Sequence, residues 1–235
     1  MKQIKITAPD SLNEITLGQY QEFLSIENPT DEDVINVFLG LSPAVIAKIP
    51  ALEVKRLTRH VSELLNTEPD FEPKFKMRGI SYGFIPNLER MSYGENIDVM
   101  KYLPKEDADW ADMHKAMAVL YRPIQLDRKN GYLIEPYKGT SETAKLMKEM
   151  PLGVVISSLL FFYDLANDLL NAIPSYILRE VEAEKLSSEN GEAITRSIHW
   201  LRETSDVLMK LRAFHFTNAS PHLPMKKTKP TTKNE

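Results

Sequence analysis

The sequence feature that most constrains the fold is an apolar segment at residues 151–173. Within residues 152–163 only Gly153, Ser157 and Ser158 interrupt the aliphatic and aromatic side chains, so no face of a helix here favours water. The uninterrupted run is about half of the roughly 20 residues that a membrane-spanning helix needs, and two aspartates follow it. The segment therefore predicts the buried central helix of a soluble domain.

Composition limits the chemistry of this 235-residue chain. Its net charge of −4 gives no reason to expect nucleic acid as a partner of the whole surface. The chain has no cysteine, which excludes disulfides, thiol catalysis and zinc sites built from thiolates. Its opening residues, MKQIKITAPDSLNEITL, lack the apolar core of a secretory signal. We therefore expect a protein that is made and used inside a cell, without a membrane span.

Residues 1–66 predict an N-terminal helical subdomain. An alternating stretch at residues 2–7 favours a short strand, and Thr16 and Thr30 then each precede a helical pattern that they can cap. A third, short helix opens with a proline at its first position. Residues 51–65 form the fourth helix, with its apolar side chains on one wide face. We expect these four helices to pack as a compact bundle.

Residues 67–216 begin with a predicted β-hairpin. Between residues 71 and 85, aromatic and β-branched residues alternate on either side of a turn at Gly79. Ser92 and Glu95 then have the spacing of a capping box, in which the serine oxygen and the glutamate carboxylate satisfy backbone amides at a helix start. The chain is therefore expected to pass from the hairpin directly into a helix.

The remainder of this region is predicted to be mainly helical. Residues 110–121 form a helix that the following Arg-Pro pair stops, because a residue before proline is pushed away from helical geometry. Residues 125–131 are expected to form a polar loop, and residues 132–135 a short strand that completes a small sheet with the hairpin. Further helices are predicted at residues 141–150, 151–173, 175–186 and 193–216.

These patterns together predict a mainly α fold. The expected architecture is a multi-helix bundle around the buried central helix, with a small β-hairpin or sheet insert. The chain is predicted to have three regions. They are a helical subdomain at residues 1–66, a hairpin and helical core at residues 67–216, and a disordered basic tail at residues 217–235.

Motifs that carry chemistry do not stand out in the sequence. The five histidines form no H-x-x-x-H or H-E-x-x-H pattern. Among weak candidates for a metal site, the best is His114 together with Asp109 and Asp112. The sequence contains no phosphate-binding loop, no dinucleotide fingerprint and no nucleophile elbow. We therefore expect no catalytic residue, no cofactor and no metal.

Methionines are concentrated between the hairpin and the central helix. Seven of the ten lie there, at positions 77, 91, 100, 113, 117, 147 and 150. Methionine is flexible and fills irregular gaps, so these side chains are suited to ordinary core packing. The alternative is a groove that accepts a flexible apolar segment of another protein. Both interpretations are open at this point.

Several phrases of the sequence resemble those of a family of tailed-bacteriophage proteins that are similar to tail assembly chaperones. The phrases are ITLGQYQEFL, YGFIPNLERMSYGENIDVMKYL, DMHKAMAVLYRPI, YLIEPYKGT and MPLGVVISSLLFFYDLANDLLN. They lie within residues 15–172 and are packing and turn signatures, with no catalytic motif among them. From residue 174 the chain departs from the family's pattern.

This resemblance implies a helical, non-enzymatic protein of the host cytoplasm. Such a protein binds the long tape-measure protein, or other tail proteins, and keeps it soluble during tail assembly; oligomerisation is possible. Because a tape-measure segment exposes apolar helical faces, its chaperone needs a broad apolar groove with adaptable side chains. The candidate contact residues are Phe84, Met113, Met117 and Tyr121.

Two other functions are compatible with the sequence. One is a structural component of the virion, such as a tail or head-to-tail connector subunit, which would be retained in mature particles. The other is a small enzyme of unrecognised type, which would require a deep polar cleft with converging titratable side chains.

Overall fold

The structure is a computed structural model that describes residues 6–103, 110–129 and 131–172. Within these ranges the chain forms eight α-helices and one four-stranded antiparallel sheet. The helices are α1 Leu17–Leu24, α2 Asp31–Leu39, α3 Pro43–Ile46, α4 Ala51–Leu65, α5 Tyr93–Tyr102, α6 Met113–Leu120, α7 Ala144–Met147 and α8 Leu152–Ala172. The strands are β1 Lys74–Met77, β2 Ile80–Phe84, β3 Tyr121–Arg128 and β4 Gly131–Ile134.

The prediction of a mainly α bundle was wrong, because the described residues form a mixed α/β fold. The largest difference is β3, which continues through residues 125–128, where the sequence predicted a polar loop. Its ladder with β4 is irregular between Ile124 and Leu126, so one extra residue interrupts the period-two alternation. A strand with a bulge and an exposed, mostly polar second half therefore has the sequence pattern of a loop.

The sheet is a meander in the order β1-β2-β3-β4. The hairpin predicted between residues 71 and 85 is confirmed, and its turn contains Arg78 and Gly79, both with positive φ. Strand β4 pairs with β3, and β3 pairs with β2 of the hairpin. The prediction that a strand at residues 132–135 completes a small sheet is therefore confirmed. Strands β1 and β4 are the two edges.

The N-terminal helices begin at the predicted caps. Thr16 and Thr30 each accept a hydrogen bond from the backbone amide three residues later and form complete capping boxes. Helix α2 ends at Gly40, whose φ of 66° is the left-handed conformation that glycine adopts without a steric cost. Ser92 and Glu95 also form the predicted capping box, at the start of α5. Local hydrogen bonding therefore sets these boundaries, and this is why the sequence reveals them.

Helix α8 occupies the centre of the core, as the apolar segment predicted. Its residues from Leu152 to Leu159 are buried, and Ser157 and Ser158 satisfy their hydroxyls by donating to backbone carbonyls one turn earlier. A hydrogen bond connects the start of the helix to the N-terminal region: the Leu152 amide donates to the Ile15 carbonyl at 2.8 Å. The absence of a side chain at Gly153 leaves room for the Asn13 side chain, because a Cβ at Gly153 would overlap Asn13 Oδ1 and lie 3.2 Å from Asn13 Cγ.

One hydrophobic cluster includes side chains from both sides of residue 66. Tyr20 and Val61 lie in it together with Phe75, Met117 and Val155. The boundary at residue 66 stays a prediction, and residues on both sides of it contribute to one hydrophobic core. The predicted helices at 175–186 and 193–216, the tail at 217–235 and most of the strand at 2–7 lie outside the described residues.

Candidate functional site

The candidate site is an open groove of about 660 Å³ beside the sheet, which we call the aromatic groove. It lies between the segment before β1, the segment after β2, the start of β4 and the middle of α8. Its lining residues are Phe71, Pro73, Phe84, Ile85, Pro86, Asn87, Leu88, Gly131, Tyr132 and Phe161. Most of these side chains are apolar, so the groove is suited to apolar ligands.

Contacts between aromatic rings fix the groove's wall. Phe71 stacks on Phe161 with ring centroids 4.3 Å apart and an interplanar angle of 13°. Phe84 meets the edge of Phe71 at 5.2 Å, and from behind it contacts Phe162 at 5.4 Å and Tyr121 at 5.2 Å. Such pairs contribute about 0.5–1.5 kcal/mol each beyond their area burial. The wall is therefore present in the structure without a bound partner.

Tyr132 fixes the hairpin β3–β4 against the rest of the sheet. Its hydroxyl lies 2.8 Å from the Phe84 carbonyl and 3.2 Å from the Pro73 carbonyl. Its ring lies on Gly83 of β2, where a Cβ would come within 2.8 Å of Cδ2 of the tyrosine. Glycine is required at this position because the tyrosine ring occupies the volume of a side chain.

The groove offers little for acid–base chemistry. Its described lining residues include no Asp, Glu, His, Lys or Arg. Its one titratable group is the Tyr132 hydroxyl, whose pKa burial raises, with a further contribution from the Asp127 carboxylate. That hydroxyl stays protonated at neutral pH and is held by backbone carbonyls. The groove is therefore suited to an apolar ligand.

The four residues predicted to contact a partner are all buried. Phe84 is 3% exposed and forms part of the groove's wall, whereas Met113, Met117 and Tyr121 are fully buried and do not line the groove. The structure brings Phe84 and Tyr121 together as an edge-to-face pair. Met117 Sδ accepts a weak hydrogen bond from Ser158 of α8 at 3.7 Å. In this conformation only Phe84 belongs to the aromatic groove.

The methionine-rich region packs into the core. Five of its seven members are buried, at positions 77, 113, 117, 147 and 150. Met91 and Met100 are partly buried. Core filling therefore accounts for most of the methionine cluster.

Sequence reasoning missed the partly exposed residues of the groove, namely Phe71, Leu88, Tyr132 and Phe161. They come from four separate segments, and nothing local in the sequence indicates that they meet. One signal was available: Gly83 interrupts an apolar strand, and a glycine inside a strand often marks the close approach of another group.

The candidate metal residues do not converge in the described part of the chain. His114 Nδ1 lies 3.2 Å from the Gln21 amide nitrogen, and Asp112 forms an ion pair with Lys115. Burial lowers the pKa of His114, and the charges of Lys148 and Lys115 lower it further. Asp109 lies outside the described residues. In residues 6–103, 110–129 and 131–172, no group of three or more His, Asp or Glu side chains is placed to hold a metal ion.

A buried cluster of polar side chains connects α5 to the start of β3. The Arg122 guanidinium lies 2.5 Å from the Glu95 carboxylate, and their side chains are only 11% and 8% exposed. The same guanidinium lies 5.7 Å from the ring centroid of Tyr137, whose hydroxyl donates to Asp98. Burial opposes ionisation of Glu95, but hydrogen bonds from Ser92 and the Arg122 charge outweigh it and lower its pKa. Opposite charges therefore pair in this centre, although the buried Arg122 Nε has no hydrogen-bond partner among the described residues, and we assign the centre to stability.

No helix in the described ranges combines the length and the apolar character needed to cross a bilayer. Helix α8, the longest, spans 21 residues and carries Asp164 and Asp168 on its exposed side. Its apolar residues instead pack in the protein core.

The chain matches no known protein-family model, no curated protein and no solved structure. The class of protein is therefore described by its structure alone. It is a mixed α/β protein with an open apolar groove lined by aromatic side chains.

Proposed function

We propose that this protein is a non-enzymatic assembly chaperone for the tail of a bacteriophage. In this proposal it acts in the host cytoplasm and binds an apolar helical segment of the tape-measure protein. The observation that carries the proposal is the aromatic groove, which is open and mostly apolar and has no Asp, Glu, His, Lys or Arg among its described lining residues. The resemblance of residues 15–172 to chaperone-like phage proteins supports the choice of partner.

The shape of the aromatic groove supports recognition of a helix. Amphipathic helices bind hydrophobic grooves by inserting side chains spaced three or four residues apart. Leu88 and Phe161 are partly exposed at the groove, so they offer apolar contact area to such side chains. Phe71 and Phe84 form a wall that needs no reorganisation on binding, which lowers the entropic cost of association.

The proposal is tested by co-expression of the chain with the tape-measure protein of its phage. Leu88→Lys places a charge in the groove. Because Leu88 is partly exposed, the variant chain is expected to fold. Leu52→Lys is the matched control, because Leu52 is 70% exposed on α4 and does not line the groove. We expect soluble tape-measure protein with the wild type and the control, and about tenfold less with Leu88→Lys.

Equal tape-measure solubility with both variants would contradict the proposal, provided that circular dichroism shows both to be folded. Mass spectrometry of purified particles separates the chaperone from the virion component. A chaperone is released before maturation and should be absent from particles. The chain at the stoichiometry of a tail subunit would instead identify a structural protein and overturn the chaperone proposal.

A further inference from the structure

Acidic side chains extend the aromatic groove along α8. Phe161, the α8 residue that lines the groove, is followed by Asp164 and Asp168, both exposed. Residues three, four and seven positions apart lie on one side of a helix, so both aspartates share the side of Phe161. At a rise of 1.5 Å per residue they lie about 4.5 and 10.5 Å beyond it along the helix axis. The apolar face that contributes to the groove therefore continues as an acidic face.

The segment that packs against this part of α8 is also acidic. Phe71 stacks on Phe161, and Asp70 and Glu72 are its neighbours in the chain. Residues 67–73 contain three acidic side chains, and α8 contains two more. Neither stretch contains Lys, Arg or His. The two elements that meet at the stacked rings therefore present negative charge only.

The basic residues that adjoin the groove's lining in sequence belong to the sheet and its connections. Lys74 of β1 forms an ion pair with Asp127 of β3 at 3.1 Å. Arg90 is exposed in the segment after β2, and Arg128 and Lys129 are exposed at the end of β3 and in the turn after it. Charge is therefore divided across the groove, with the acidic residues on the α8 side.

The acidic residues on α8 are unfavourable in the free protein. Asp164 and Asp168 are four residues apart, and like charges at this spacing destabilise a helix. In the described part of the chain, no salt bridge involves either of them or Asp70. A bound cationic side chain would relieve the repulsion.

We infer that the segment bound by the aromatic groove is a basic amphipathic helix, whose Lys or Arg side chains pair with Asp164 and Asp168. This inference rests on the proposed function, since it specifies the charge of the segment that the groove binds. Asp164 and Asp168 are about 6 Å apart along the helix axis, which matches two basic residues four positions apart on a partner helix that runs along α8. These basic residues lie about one turn beyond the last apolar side chain inserted in the groove.

The acidic side chains determine specificity more than affinity. Apolar contacts with the groove are open to any amphipathic helix, whereas charge complementarity favours a basic one and speeds its association. An acidic amphipathic helix would bring like charges together on α8, and such repulsion excludes wrong partners. Asp164 and Asp168 are therefore specificity-determining residues of the groove.

The test uses synthetic peptides that cover the predicted helices of the phage's tape-measure protein. Their binding to the full-length chain is measured by fluorescence anisotropy. We expect the tightest-binding peptide to carry two basic residues four positions apart beside its apolar stripe. Replacing both by glutamate should weaken binding about tenfold or more.

The matching variant of the protein is Asp164→Asn/Asp168→Asn. It should weaken binding of the same peptide about threefold to tenfold, as expected for the loss of two exposed charge pairs. Higher ionic strength should weaken binding to the wild type and have little effect on this variant, because salt screens exposed charges. Glu63→Gln is the control: Glu63 is exposed on α4 and does not line the groove, so binding should not change.

The charge-reversed variant Asp164→Lys/Asp168→Lys is the decisive measurement, because it should bind the glutamate-substituted peptide better than the native one. Equal affinity of the wild type for the two peptides overturns the inference, as does an asparagine variant that binds like the wild type. If Leu88→Lys abolishes binding in that last case, the groove proposal stands and only the charge inference fails. A wild type that binds no tape-measure peptide overturns both.

Discussion

At the residue scale, the contact between Gly83 and Tyr132 is the strictest steric requirement at the aromatic groove. The tyrosine ring covers the glycine and its hydroxyl bonds to two backbone carbonyls, so the ring cannot move without losing both hydrogen bonds. Both the position of β4 and one side of the groove depend on this contact.

Gly83→Ala is predicted to destabilise the protein by about 1–3 kcal/mol, the usual cost of overpacking a filled site. The measurement is the free energy of unfolding in urea. Gly94→Ala is the matched control: Gly94 lies in α5, and a Cβ there meets nothing within 4 Å. The control should be stabilised by about 0.4–1 kcal/mol, since alanine restricts the unfolded chain. Equal effects of the two substitutions would contradict the proposed contact.

At the element scale, the ion pair between Glu95 and Arg122 holds α5 against the start of β3. Arg122→Met is predicted to cost about 3–5 kcal/mol in unfolding free energy, because it leaves a buried carboxylate without its partner. Glu95→Gln/Arg122→Met should recover much of this loss, since glutamine retains the capping box and carries no charge. A double variant no more stable than Arg122→Met would contradict this role.

The same pair predicts how stability depends on pH. The pKa of Glu95 is lower in the folded protein than its usual value of 4.5. A carboxyl group with a lowered pKa stabilises the folded state above its unfolded pKa, and this contribution is lost as pH falls through the folded pKa. Stability of the wild type should therefore fall more steeply below pH 4.5 than that of Glu95→Gln.

The sequence predicts those elements whose signals are local. Helix α4 has the predicted bounds of residues 51–65, and Thr16, Thr30 and Ser92 cap the helices that follow them, because a capping box needs only four consecutive residues. Strand β3 was not predicted. Its bulge breaks the alternation on which recognition of a strand depends, and its outer half is exposed.

At the scale of the whole molecule, the burial of α8 follows from composition alone, whereas the groove does not. Phe71, Leu88, Tyr132 and Phe161 come together only when the sheet packs beside α8. The predicted contact residues Met113, Met117 and Tyr121 were chosen for apolar character, and that same character places them in the core. Sequence pattern indicates which side chains avoid water, and only the fold decides which of them stay accessible at a groove.

The most direct test of the central claim is photo-cross-linking from the groove in infected cells. A photoreactive amino acid replaces Leu88, and in a parallel control it replaces Leu52, which is exposed on α4 away from the groove. We predict a cross-link from position 88 to the phage tape-measure protein, identified by mass spectrometry, and none from position 52. Equal cross-linking from both positions, or a folded protein that gives no tape-measure adduct from position 88, would contradict the claim that the aromatic groove binds this partner.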